Sequence, residues 1–305
     1  MSPRQLLICC TQATRQNTAT KQLVLKQQQV GSKKPAVTVS IGLSTQEEEE
    51  IRSKQPKMWM KTDAYMLSQS DRDILLHPAA WLNDNITSAA QMLLKKQAPL
   101  VGGFQPPYMG QLCAFDIEPG EFIQVLHDGH GHWLTVSTVG AEKEADVYVY
   151  DSMYSSFGTY TKKEIASILC TKKSEIQLKI MDVQMQAGGS DCGLFAIAFA
   201  TAIVNGIPPE KFLFNPTRMR KHLYKCLQNE RMTMFPTMKE RRGATKAKSS
   251  NTINIFCVCR MPELQNIEMV ACCKCKAWYH VHCVSVPQSV LKDRKVVWFC
   301  SDCNN

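Results

Sequence analysis

From Phe122 onward the apolar positions fall into short runs that read as strands. Phe122 to Leu126 and Trp133 to Val139 flank a Gly/His-rich loop, and Val147 to Tyr150 follows a charged turn and ends at Asp151. Lys162 to Cys170 predicts a helix and Ile176 to Val183 a further strand. After Gly188-Gly189-Ser190-Asp191 comes Cys192 to Val204, a run so uniformly apolar that a helix there must be buried on all sides. Pro209 to about Met232 reads as more helix. Upstream, Ile74-Leu75-Leu76 leads through His77-Pro78 to Trp81-Leu82-Asn83-Asp84-Asn85-Ile86 and then a helical stretch to Lys96. This mixture predicts an α+β body with a mixed sheet around a buried helix.

The flanks differ in texture. Residues 1–57 are rich in Gln, Thr and Lys, lack aromatics, and carry an acidic run at Glu47 to Glu50 after a candidate helix cap at Ser44 or Thr45. They predict a flexible arm with one short helix. Lys239 to Thr252 is polar, basic and free of large apolar groups, which predicts a linker over residues 237–253. The expected organisation is therefore an arm at 1–57, a body at 58–236, the linker, and a small module at 254–305.

Composition adds limits. With 44% hydrophobic and 21% charged residues the chain is of ordinary globular character. The longest apolar stretch, Gly193 to Ile207, is too short to span a bilayer, and Leu6 to Cys10 is shorter than a signal-peptide core. An intracellular protein without membrane association is expected. The formal charge of +9 favours acidic partners and a nuclear setting, and the basic linker offers a DNA contact, although a solvated tether is the plainer reading.

Cysteine usage is more telling. Of fourteen cysteines, eight lie between Cys257 and Cys303, which in an intracellular chain reads as metal ligation rather than a disulfide framework. Cys257-Val-Cys259, Cys272-x-x-Cys275, His280-x-x-Cys283 and Cys300-x-x-Cys303 make four short ligand pairs. Tetrahedral zinc takes four such ligands, so eight imply two structural zinc ions. So small a module has too little core to fold alone, and metal binding would be most of its folding energy.

A second constellation surrounds Cys192. A cysteine at the start of a buried helix lies at the positive end of the dipole, a position that favours the nucleophilic thiolate. His132 at the entrance of one strand and Asp151 at the exit of the next would lie side by side in an antiparallel pair, and Gln186 would supply an amide donor for an oxyanion. From the residues alone two readings stay open: a lone buried cysteine such as Cys192 is more often a core residue, and His127, His130 and His132 share the loop.

Trp81-Leu82-Asn83-Asp84, His132-Trp133, Tyr150-Asp151-Ser152 and Gln186-Ala187-Gly188-Gly189-Ser190-Asp191-Cys192-Gly193, in this order, resemble the ubiquitin-like-protein-specific cysteine proteases, whose best-known members are the SUMO (sentrin) proteases. The resemblance implies a papain-like core and a peptidase cleaving after the C-terminal Gly-Gly of a modifier such as SUMO or a relative, on precursors or conjugates. It makes Cys192 the nucleophile, His132 the general base, Asp151 its orienting carboxylate and Gln186 an oxyanion donor. Trp81 and Trp133 match a pair of indoles that form a tunnel only glycines can thread, and Asp84 matches a residue near that groove. Gly188 stands where SUMO proteases usually carry Asn. The catalysis implied needs no cofactor.

The four-Cys, one-His, three-Cys order, with Trp278 two residues before His280 and Trp298 two before Cys300, resembles a PHD finger. That resemblance implies interleaved ligands: Cys257, Cys259, His280 and Cys283 for one zinc, and Cys272, Cys275, Cys300 and Cys303 for the other. A RING finger shares the ligand count. PHD fingers commonly read histone H3 tails, and Phe256, Met269 and Trp278 fall where one group of them places a methyl-lysine cage. A protease joined to such a finger also resembles proteins carried by DNA transposons. The combined expectation is a nuclear cysteine isopeptidase tethered to a chromatin-reading finger. The alternatives are a histone-binding protein whose protease domain docks a modifier without cutting it, and a protease for an unrelated polypeptide.

Overall fold

The computed structural model describes residues 57–63, 65–241, 247–263, 267–293 and 295–304. The arm and its short helix, expected over 1–57, lie outside the described residues apart from Lys57. Among the described residues, those from Lys57 to Asp73 belong to one compact unit and those from Ile74 onward to a second. In the first, strands β1 (Met58–Lys61) and β2 (Met66–Ser68) form an antiparallel pair. Helix α1 (Gln69–Leu76) then opens with a reciprocal cap: Ser68 N–H donates to Asp71 Oδ2 at 2.7 Å while Asp71 N–H donates to Ser68 Oγ at 3.2 Å.

The second unit is built on a six-stranded mixed sheet. Its strands are β3 (Gly102–Gly103), β4 (Phe122–His127), β5 (Trp133–Ser137), β6 (Asp146–Tyr150), β7 (Glu175–Met181) and, after β8 (Phe212–Phe214) and β9 (Thr237–Glu240), β10 (Ala247–Asn254). Their spatial order is β10-β7-β6-β5-β4-β3. β4, β5 and β6 are antiparallel neighbours, whereas β6 and β7 run parallel. A parallel pair needs a crossover, supplied here by a helix that follows β6. The helices of this unit are α2 (Asp84–Gln97), α3 (Tyr108–Gln111), that crossover α4 (Thr159–Ile168), α5 (Cys192–Val204) and α6 (Pro216–Gln228).

Each face of the sheet has its own filling. On one side Ile165 and Ile168 of α4 join Phe122, Leu126, Leu134, Val136, Val147, Val149, Ile176, Leu178 and Ile180 in a single buried cluster. On the other side α5 is buried from Cys192 to Ala202, as its almost wholly apolar sequence demands. Thr135 Oγ1 donates to Ala196 O at 2.7 Å, fastening β5 to that helix, and Phe214 packs edge to face on Phe195 and Phe199 of the helix. No helix among the described residues is long and apolar enough to cross a membrane.

Two expectations are corrected here. The helix expected from Pro209 to about Met232 is broken: a single 3-10 turn (Pro209–Lys211) leads into β8, and α6 starts only at Pro216. Proline disfavours helical backbone in the residue before it and suits the first helical turn, so Asn215-Pro216 is a start signal.

The second correction concerns residues 237–253, which are strand rather than tether over most of their length. β9 pairs with β8, and β10 pairs antiparallel with β7 from Ala247 opposite Met181 to Asn254 opposite Glu175. β10 looked like a linker because it is an edge strand whose side chains are nearly all exposed, and edge strands favour charged and polar residues. Only Ile253 turns inward; with Ile255 it enters the cluster of Ile165, Ile176 and Leu178. Ile255 N–H donates to Ser174 O at 2.7 Å, and the Arg260 guanidinium reaches the Thr171 and Lys173 carbonyls. The cysteine-rich module, with β11 (Met269–Ala271), β12 (Trp278–His280) and a short helix α7 (Gln288–Lys292), therefore belongs to the same compact unit as the sheet.

Candidate active site and zinc centres

Antiparallel pairing decides which histidine matters. Thr135 lies opposite Tyr150, so the start of β5 and the end of β6 meet at one end of the sheet. His132 Nε2 and Asp151 Oδ1 are 2.8 Å apart there, both buried. The same carboxylate oxygen accepts the N–H groups of Met153 at 2.7 Å and Tyr154 at 2.9 Å, which fix its direction. His130 is exposed, and His127 lies edge-on to the Trp133 ring at 4.6 Å. Asp128 Oδ1 accepts from His130 N–H at 2.8 Å and His132 N–H at 2.9 Å, so the Gly-rich loop is folded around that carboxylate.

With Nε2 given to Asp151, the other ring nitrogen, Nδ1, is buried, and Cys192 is the thiol that interacts with this imidazole. Burial pushes the His132 pKa down. The hydrogen bonds and charges of Asp151 and Cys192 outweigh that and hold it at about 9. Cys192 is the first residue of α5, itself buried. Asp191 stands at the N-cap without capping: its Oδ1 accepts from Arg220 at 2.9 Å instead. The first-turn N–H groups of α5 are thus left for a developing anion.

Gln186 joins the end of β6 to the cysteine loop. Its Oε1 accepts from Ser152 Oγ at 2.7 Å and its backbone N–H donates to Ser152 O at 2.8 Å. Its Nε2 donates to Gly188 O at 2.8 Å, so oxyanion donation would require that bond to be exchanged. Trp81 is 58% exposed, and its indole lies over Gly131: a Cβ there would come within 2.9 Å of Cζ3. Any larger residue beside His132 would displace the ring. Trp133 is placed differently. It is buried, its Nε1 donates to Leu82 O at 3.1 Å, and its Cδ1 lies 3.2 Å from where a Cβ on Gly193 would sit. Asp84 opens α2, with one carboxylate oxygen buried and making no hydrogen bond.

In the module, Cys257, Cys259, His280 and Cys283 form one donor set and Cys272, Cys275, Cys300 and Cys303 the other, each within 4.8 Å. His280 supplies the clearest test of fit. Its Nε2 lies 3.1 Å from Pro262 O, which fixes the hydrogen there and turns Nδ1 toward Cys259 Sγ at 3.3 Å and Cys283 Sγ at 4.0 Å. A carbonyl on the far nitrogen is the usual outer partner of a metal-bound imidazole. Sulfur-rich tetrads of this size fit two structural zinc ions. Cys273, exposed, and His282, stacked on His280, belong to neither set. Phe256, Met269 and Trp278 come together, with Asn254, Met261 and Glu263, around one pocket of about 290 Å³.

Sequence reasoning missed Arg220 and Asp128 at the first site and Met261 and Glu263 at the pocket. None carries a local signal, because each acts on a segment remote from it or through a turn whose shape only the fold sets.

A PHD-finger family model matches residues 257–303. Solved structures similar to this chain include the C-terminal Ulp1 protease domain in complex with Smt3, the yeast ortholog of SUMO, at 15% identity, covering 62% of this chain and 96% of that one with a TM-score of 0.43. The Chaetomium thermophilum Ulp1-like SUMO protease catalytic domain is 18% identical, covering 63% and 91%, with a TM-score of 0.41. The Xanthomonas campestris effector XopD, bound to ubiquitin, is 15% identical, covering 49% and 93%, with a TM-score of 0.36.

Proposed function

We propose that this chain is a cysteine peptidase that cleaves after the C-terminal Gly-Gly of a ubiquitin-like modifier such as SUMO, carried in the nucleus together with a finger that reads a methylated lysine of the histone H3 tail. The observation that carries the catalytic reading is the interaction of Cys192, at the uncapped start of a buried helix, with a buried His132 hydrogen-bonded to Asp151 at 2.8 Å. Thiol, imidazole and carboxylate in series are what acyl transfer requires. The Cys192 proton passes to His132 Nδ1 and the sulfur attacks the carbonyl carbon of the second glycine. The N–H groups at the start of α5, joined by the Gln186 amide once it leaves Gly188, receive the oxyanion. His132 gives its proton to the departing amine, and water then releases the modifier from the thioester. Trp81 over Gly131 forms one wall of a slot that favours residues without side chains. Asp84 flanks this entrance.

The finger reading is supported by the pocket of Phe256, Met269 and Trp278, where an aromatic face and a thioether wall suit an alkylated ammonium. The test of the whole is a panel of ubiquitin-like modifiers bearing C-terminal electrophiles. A covalent adduct on Cys192 with one modifier, absent in Cys192→Ser protein of unchanged melting temperature, is the expected result. No adduct with any modifier, from folded wild-type protein, would overturn the peptidase reading and leave a chromatin-binding protein whose catalytic body at most docks its modifier.

A further inference from the structure

Arg220 sits on α6, is 9% exposed, and touches neither His132 nor Asp151. Its guanidinium instead spans two segments far apart in the chain. One nitrogen donates to Ala80 O at 2.7 Å, Asp191 Oδ1 at 2.9 Å and Ser190 O at 3.4 Å. The other donates to Ile74 O and Leu75 O, both at 3.4 Å. Ala80 immediately precedes Trp81, and Asp191 immediately precedes Cys192. The two segments also touch directly: a Cβ on Gly193 would lie 3.0 Å from Leu82 Cβ.

From this we infer that Arg220 is a positioning residue for the proposed reaction, holding Trp81 in register with Cys192 and drawing the Asp191 carboxylate off the first turn of α5. The inference rests on the peptidase reading above. A planar fork of donors is suited to the first task, since it engages a carbonyl on one segment and a carboxylate on the other at once. The second task follows from capping chemistry. Aspartate is a good N-cap, and without a competing cation its carboxylate would turn onto the α5 N–H groups. A fixed anion there would oppose the oxyanion that those groups are to receive.

The experiment compares wild type, Arg220→Lys and Arg220→Met in the full, zinc-loaded chain. Three quantities are read: the rate of adduct formation with a reactive modifier bearing a C-terminal Gly-Gly electrophile, the rate of Cys192 alkylation by iodoacetamide, and amide exchange over residues 74–82 and 188–194. Iodoacetamide needs the thiol but not the slot. In both variants the modifier rate is expected to fall by about tenfold or more, toward the roughly hundredfold that a misplacement of about an ångström can cost. Alkylation should fall by a smaller factor than the modifier rate, and exchange should rise in both segments together. Modifier and iodoacetamide rates falling in parallel would show a merely structural arginine and overturn the inference, as would unchanged exchange. If wild type itself forms no adduct, the peptidase reading fails; the exchange data then still decide whether Arg220 ties the two segments.

Discussion

Replacing Ile253 by alanine tests whether the finger is tethered to the sheet-bearing body or is part of it. Ile253 lies on β10, 2% exposed, in a cluster with Ile165, Ile176 and Leu178 of the body. The change removes three carbons from a closed site. At about 0.8 kcal/mol per methylene-sized group the transfer loss alone is roughly 2.5 kcal/mol. The unfilled cavity raises the total toward the range of about 2–5 kcal/mol seen for such substitutions. With a urea dependence of about 2–3 kcal/mol per molar for a unit of this size, the midpoint should drop by about 1 M. The assay is urea unfolding of the full zinc-loaded chain, read by amide exchange in β7, whose edge β10 covers. Ser250→Ala, on the exposed face of the same strand, serves as control and should stay within about 0.5 kcal/mol. The reasoning is refuted if Ile253→Ala leaves β7 exchange and the midpoint of the body where they were and alters only residues 257–303.

Three further outcomes are expected. The pKa of His132 is raised from 6.5 to about 9, so its interactions stabilise the fold fully below about pH 6.5 and this contribution is lost as pH climbs through about 9. Because the imidazolium must protonate the leaving amine, kcat/KM should decline above about pH 9, and Asp151→Asn should move that limb toward neutral pH; a limb unmoved in the variant would exclude the Asp151 hydrogen bond as its cause. Trp81→Ala should lower kcat/KM for modifier substrates by about tenfold or more with little change in melting temperature, because an exposed indole holds little of the core; a large loss of stability would assign it to packing. Metal analysis should find two zinc ions per chain in wild type and in Cys273→Ser but fewer in Cys259→Ser; equal loss in both variants would mean that the two donor sets are wrongly divided.

Much of the site was legible because its signals are local. The uniformly apolar run after Asp191 allows only a buried helix, and that places Cys192 at the helix start without reference to anything else. The zinc ligands come in short pairs whose chemistry is apparent from type and spacing, and the structure gathers them into the two interleaved sets expected from the family resemblance. The strands β4 to β7 were readable within a few residues from their alternation and runs of branched side chains.

What tertiary structure decided is which distant groups meet. Three histidines share one loop, and only the pairing of β5 with β6 delivers His132 rather than His127 or His130 to Asp151. Nothing in the neighbourhood of Arg220 distinguishes it from Arg218, yet the packing of α6 buries one and leaves the other exposed. β10 was read as a tether because an exposed edge strand needs few apolar residues, and its strand character comes from hydrogen bonds to β7, about seventy residues earlier in the chain. Helical burial and metal chelation are set by residues close in sequence, so composition and spacing reveal them. Strand pairing, ion-pair partners and the direction of an amide depend on contacts closed across long loops, and no local pattern records them.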